Sequence, residues 1–137
     1  SLGAGLVAST VSAEEKPFSV RYTAPQPAAV QAKATCTLSI TPTTGWVLKT
    51  GAGSPPFNGK LTASSDIKID KKKLKKTDLK EGSKDPNTGL TAMYLETPFT
   101  PQAPGTHSIK AAMTFFVCSD SICKRFKEDA TCNVSAQ

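Results

Sequence analysis

Cys118 and Cys123 are the residues of this chain best suited by type and spacing to do chemistry. They lie in Phe115-Phe116-Val117-Cys118-Ser119-Asp120-Ser121-Ile122-Cys123-Lys124, between two strand-like runs near the C-terminus. A disulfide across the mouth of a hairpin is short and exposed, the kind of bond that an incoming thiolate can open. If the pair exchanges, thiolate stability decides which sulfur attacks. Lys124 and Arg125 follow Cys123 and favour a thiolate there, whereas Asp120 disfavours one at Cys118. This makes Cys123 the expected interchange nucleophile and Cys118 the resolving thiol. The same pair serves equally well as a plain staple of a small exported domain. Both roles stay open at this point.

No other chemistry is well supported by the residues. His107 is the sole histidine and reads as a structural strand residue. The cysteines show no paired C-x-x-C knuckles, so neither zinc nor any other metal is expected. Asp120 and Glu128 form no evident general acid–base pair. Gly51-Ala52-Gly53 lacks the lysine and the following helix of a phosphate loop, and no cofactor is expected. Trp46, Phe115 and Phe116 read as core and edge aromatics.

The elements that must position the pair are strands. A chain of 137 residues with ten prolines and nine glycines is one domain with room for a hydrophobic core. Four cysteines, an even number, fit an oxidising compartment. The opening residues 1–13 are apolar and uncharged, ending in Val11-Ser12-Ala13 before Glu14-Glu15-Lys16. They read as a signal-peptide remnant or an apolar arm, and residues 14–137 as the domain. No later stretch is long and apolar enough to span a bilayer. The expected location is periplasmic or secreted.

The net charge of +6 is uneven, because eight of the seventeen basic residues are lysines between Lys68 and Lys84. Such a block can dock on an acidic partner, an anionic lipid surface or a nucleic acid. Interleaved acidic residues and the lack of aromatics for base stacking favour a solvated loop or edge, and no nucleic acid is expected.

Alternation of apolar and polar residues marks strands at Phe18 to Tyr22, Ala34 to Ile40, Gly45 to Lys49, Phe57 to Ala63 and Ile67 to Ile69. Leu74 and Leu79 anchor the lysine block. Gly82 to Gly89 reads as a turn. Leu90 to Phe99 is extended, and Pro98 to Gly105 breaks it. The strongest runs are His107 to Val117 and Lys124 to Ala136. With no helical stripe, the pattern predicts an all-β, immunoglobulin-like antiparallel β-sandwich of seven to eight strands.

Residues of equal parity along a strand share a face, and this selects among the three possible cysteine pairings. His107, Ile109, Ala111, Met113, Phe115 and Val117 make the inward set of their strand, which turns Cys118 outward. Ala130, Cys132, Val134 and Ala136 make the inward set of the last strand, which turns Cys123 outward. Cys36 lies inward with Leu38 and Ile40. Parity therefore pairs Cys118 with Cys123 at the hairpin and Cys36 with Cys132 in the core. The core bond closes a long loop and contributes ~4 kcal/mol on the loop-entropy relation; the hairpin bond contributes much less.

These residues resemble the N-terminal immunoglobulin-like domain of bacterial transmembrane thiol:disulfide interchange proteins, the disulfide-bond corrector family. The matching stretches are Phe18-Ser19-Val20-Arg21-Tyr22, Thr37 through Trp46, Pro104-Gly105-Thr106, and above all Phe115 through Lys124. The resemblance covers roughly residues 17 to 136. It implies a periplasmic relay that takes electrons from a thioredoxin-like partner and reduces disulfides of exported proteins, with Cys118 and Cys123 as the redox pair. Three features depart from the family pattern. These residues include no electron channel and no thioredoxin-like domain, so a relay needs separate partners. Cys36 and Cys132 lie outside the motif. The loop from Lys84 to Leu90 has no aromatic to cap the cysteines, and Met93 and Tyr94 are the nearest candidates. Two functions follow: a thiol:disulfide oxidoreductase module, or a noncatalytic, disulfide-stapled module that binds another envelope protein.

Overall fold

The computed structural model describes residues 16–137, so the apolar opening at 1–13 lies outside the described residues. Nine strands follow in order: β1 (Phe18–Thr23), β2 (Ala34–Pro42), β3 (Asn58–Ala63), β4 (Ile67–Ile69), β5 (Lys73–Lys75), β6 (Lys80–Lys84), β7 (Thr91–Pro101), β8 (Gly105–Cys118) and β9 (Cys123–Ala136). All pairings between them are antiparallel. One sheet runs β1-β2-β7-β4, with β6 also on β7, and the other runs β5-β3-β8-β9. The protein is an all-β, immunoglobulin-like sandwich. No helix among the described residues is long and apolar enough to cross a membrane.

Alternation builds the core. Leu38 and Ile40 of β2, Leu95 and Phe99 of β7, and Ile109, Phe115 and Val117 of β8 are all at most 1 % exposed. Their neighbours along each strand turn to solvent, as the two-residue period requires. Phe115 lies at the centre of an aromatic group, its ring 5.1 Å from Phe18, 5.9 Å from Phe57 and 6.4 Å from Phe126. Four strand or loop segments from both sheets therefore meet on one side chain.

The lysine-rich segment adds two strands that alternation does not mark, β5 and β6, and β6 runs through Gly82 to Lys84, where a turn is expected to begin. The segment crosses from one sheet to the other and back, giving β4, β5 and β6, with a 3-10 turn at Lys76–Asp78 between the last two. Leu74 and Leu79 are buried and hold it down. Gly59 of β3 leaves room beneath it, since a Cβ there would stand 3.0 Å from the Leu74 side chain, tighter than ordinary contact. Asp78 fixes the turn by accepting from the Lys75 N–H at 2.8 Å and pairing with Lys71. Partial burial pushes its carboxyl up, but these hydrogen bonds and the lysine charges hold it below its ordinary range. Lys76 donates to the Ser54 carbonyl at 2.9 Å.

Two expectations need correction. The break from Pro98 does not occur, since β7 continues to Pro101. Pro98 accepts from Asp70 N–H, so its missing N–H faces the side of β4 and removes no bond to β2. Pro101 accepts from Gln31 N–H, beyond the start of β2, where no ladder partner is lost. Gly45 to Lys49 is not a strand but carries a single bridge, Val47 to Cys118.

Beside Cys36 lies a buried polar relay. Thr97 donates its hydroxyl hydrogen to the Cys36 carbonyl at 3.2 Å. Tyr22 must then donate to Thr97, at 2.6 Å. Burial raises the Tyr22 phenol above its ordinary 10.0, and the bond to Thr97 opposes this. In the unfolded chain the phenol ionises first, so stability is full below about pH 10 and falls as pH rises beyond it. Tyr22→Phe is expected to flatten this alkaline loss, measured as denaturant midpoint against pH. An unchanged slope would remove Tyr22 as its source.

Candidate functional site

The hairpin between β8 and β9 is closed by a tight turn. Ser119 N–H donates to the Ile122 carbonyl at 2.8 Å, and the Ser119 hydroxyl accepts from the N–H groups of Ser121 and Ile122. This leaves Cys118 and Cys123 directly opposed, the next pair along the ladder. Pairs in an antiparallel ladder alternate between hydrogen-bonded and non-hydrogen-bonded, and side chains come closest in the latter. Cys118 spends both main-chain groups on Val47, donating and accepting at 2.8 Å, so Cys118–Cys123 is a non-hydrogen-bonded pair. Its Cα atoms are 3.9 Å apart, and a disulfide joins the side chains.

Val47 is brought to Cys118 by a turn. Trp46 N–H donates to the Thr43 carbonyl at 3.0 Å, and Gly45 takes the positive φ of 88° that such a turn needs. Opposed residues share a face, so Val47, Cys118 and Cys123 form one row across the outer side of the four-stranded sheet. The middle member is covered: Cys118 is 2 % exposed, while Val47 is 48 % exposed and Cys123 is open to solvent. The expectation of a fully exposed hairpin bond is thus corrected for one of its two sulfurs. Parity placed Cys118 outward, but it could not show a flanking loop.

The shield also differs from the expected one. Met93 points into the core, and Tyr94 takes the opposite parity on β7, on the outer side of the other sheet. Neither reaches the cysteines, and Val47 fills that place. A cleft of about 350 Å³ between residues 42–48 and 89–93 lies behind this segment. Of the cations beside Cys123, Lys124 pairs with Val117 and so takes the inner parity, away from the sulfur. Arg125 pairs with Phe116 and shares the outer face with the disulfide. Asp120 is exposed at the tip of the turn.

The second bond joins Cys36 of β2 to Cys132 of β9, and so one sheet to the other, between two side chains that are 0 % exposed. No cysteine is left free. His107 lies toward the opposite end of β8 from Cys118, with Nε2 2.8 Å from the Ala103 carbonyl. Among the described residues no cluster of His, Cys, Asp or Glu could hold a metal ion.

No family model matches the chain, and no curated protein matches it. Solved structures resemble it at a distance. The PapD-like domain of human CEP192 aligns over 99 % of this chain and 96 % of its own, at 8 % identity and a TM-score of 0.41. Domains D2 and D3 of the major pilin SpaD from Corynebacterium diphtheriae align over 84 % of this chain and 51 % of their own, at 11 % identity and a TM-score of 0.42. A conjugative transposon lipoprotein from Bacteroides eggerthii aligns over 85 % of this chain and 98 % of its own, at 9 % identity and a TM-score of 0.37.

Proposed function

We propose that this chain is a noncatalytic, disulfide-stapled, immunoglobulin-like binding module of an exported cell-envelope protein. The observation that carries this reading is that both disulfides hold the same strand. β9 is the edge of its sheet, tied to its neighbour at Cys123 and to the opposite sheet at Cys132. The two anchor points stand about 30 Å apart along the strand. An edge strand fixed at both points is held in register, which suits a rigid docking surface more than a mobile reactive hairpin. Two disulfides in a chain of this size also fit an oxidising compartment, periplasmic or extracellular.

A second reading, the thiol:disulfide interchange module, is favoured by one observation: Cys123 is exposed while Cys118 is covered. An attacking thiolate from a thioredoxin-like dithiol would then bond to Cys123 Sγ, breaking its bond to Cys118 and releasing Cys118 as thiolate. The donor's second thiol would resolve the mixed disulfide and leave both cysteines of this chain reduced.

Trapping separates the two. With Cys118 replaced by Ser, Cys123 is left as a free thiol on the outer face. On the binding-module reading this variant stays folded and forms no mixed disulfide with a thioredoxin-type protein or with periplasmic extract beyond that of an exposed surface cysteine. Selective, stable capture by Cys118→Ser, and not by Cys123→Ser, would establish the interchange module instead.

A further inference from the structure

The outer face of the four-stranded sheet gathers cations that are far apart in sequence. Lys73 and Lys75 flank buried Leu74 on β5, Lys60 precedes buried Leu61 on β3, and Arg125 and Lys127 take the outward parity of β9. Lys110 of β8 joins them. The register places them in successive rows: Lys75, Asn58, Thr114 and Lys127 in one, Lys73, Lys60, Ala112 and Asp129 in the next. Asp129 is the one carboxylate in these rows, and it lies 3.5 Å from Lys110. The other five cations are exposed, and none makes an ion pair among the described residues. Lysines of the same sequence block that point elsewhere do find partners, Lys71 on Asp78 and Lys80 on Glu96. A cluster of exposed cations in which five make no ion pair repels itself and offers a field to an anion.

Two further observations identify the kind of anion. The cations spread in two dimensions, about 14 Å across the strands from Lys75 to Lys127 and two or three rows along them. A planar lattice of charged headgroups matches this spread better than one linear polyanion does. At the hairpin end of the same face stands Val47, 48 % exposed, one of the two large apolar side chains left most open among the described residues. Phe116, half-buried, is in the adjoining row opposite Arg125. A basic plane with apolar side chains at its rim is the arrangement that lies on an anionic bilayer, charges on the headgroups and apolar tips at the acyl boundary.

We propose that this sheet face docks on an anionic phospholipid surface, with Val47 entering the interface. The proposal rests on the binding-module reading and supplies its ligand. The hairpin disulfide lies in the same row as Val47, whose main chain is bonded to Cys118 at the rim of the charged plane.

Vesicle co-sedimentation tests it, with phosphatidylcholine alone and with an equal mixture of phosphatidylcholine and phosphatidylglycerol. The protein is expected to partition to the mixture at least about tenfold more strongly, and to be released by high salt. The triple variant Lys60→Gln, Lys73→Gln, Lys75→Gln is expected to lose at least about tenfold of that partition. The control triple Lys68→Gln, Lys80→Gln, Lys84→Gln removes the same charge from segments of the other sheet and is expected to bind as the parent does. Val47→Ser is expected to lower the fraction that survives the salt wash. Equal loss from both triples would reduce the effect to net charge and overturn the proposal. Retention on soluble heparin or on an acidic protein, without partition to the mixed vesicles, would also overturn it. The protein stays oxidised throughout, so failure to bind lipid leaves the noncatalytic reading intact, and a redox-active hairpin would leave the lipid result readable.

Discussion

Replacing Cys36 and Cys132 together by alanine is expected to destabilise the fold by about 4 to 5 kcal/mol. The bond spans 96 residues of sequence, and opening it releases a correspondingly large loop in the unfolded chain. The substitution also empties volume between two fully buried positions, which adds to the loss. The double variant is the right test, since a single one leaves a thiol in the core. The Cys118–Cys123 bond closes a loop of only five residues' separation, so the Cys118→Ala, Cys123→Ala protein is expected to lose about 2 kcal/mol on the same relation. Denaturant midpoints of the two double variants measure this directly. A larger loss at the hairpin than at the core bond would show that the hairpin pair carries structure which loop entropy does not describe.

Phe115→Ala is the second large effect, at about 3 to 5 kcal/mol. The side chain is fully buried, and its ring stands among those of Phe18, Phe57 and Phe126. Truncation removes contacts to β1, β9 and the segment entering β3 at once, and the surrounding strands cannot collapse into the gap without losing register. Its neighbour Phe116 has the opposite parity and is half-buried on the outer face, so Phe116→Ala is expected to cost less than about 1 kcal/mol. Equilibrium unfolding of the two variants gives the comparison. Similar losses at both positions would contradict the register of β8.

Much of this architecture is legible in the chain because its strands alternate strictly. Ala34 to Ile40 and His107 to Val117 reveal both their extent and their inward set, and from those sets the face of every cysteine follows. The hairpin is legible too, since Cys118 and Cys123 lie between two strand-like runs, whereas the Ser119 hydroxyl that closes the turn emerges only in the fold. What alternation does not carry is which element lies beside which. Pro98 and Pro101 look like breakers, yet their missing N–H groups fall where no ladder partner is lost, a fact set by the lengths of β2 and β4. Gly45 to Lys49 has the composition of a strand but meets β8 only at Val47. That one bridge decides how exposed Cys118 is, and nothing local to either segment announces it.

The lysine block shows the same limit. Read along the chain, its charges are interleaved with carboxylates and look solvated. Folded, they divide: Lys71 and Lys80 take partners, while Lys73 and Lys75 join Lys60, Arg125 and Lys127 on one face. Charge clustering across a sheet depends on pairing between strands remote in sequence, so only the register reveals it.

On the proposed function the Cys118–Cys123 bond is a staple and the chain a binding module. The most direct measurement is the reduction potential of that bond, by equilibration with defined thiol buffers and mapping of the alkylated Cys118 and Cys123 peptides. A value below about −300 mV, resistant to the glutathione pool, is the result expected of a structural bond. A value between about −270 and −120 mV, the range of dedicated oxidoreductases, would contradict the account and assign the hairpin to thiol–disulfide interchange.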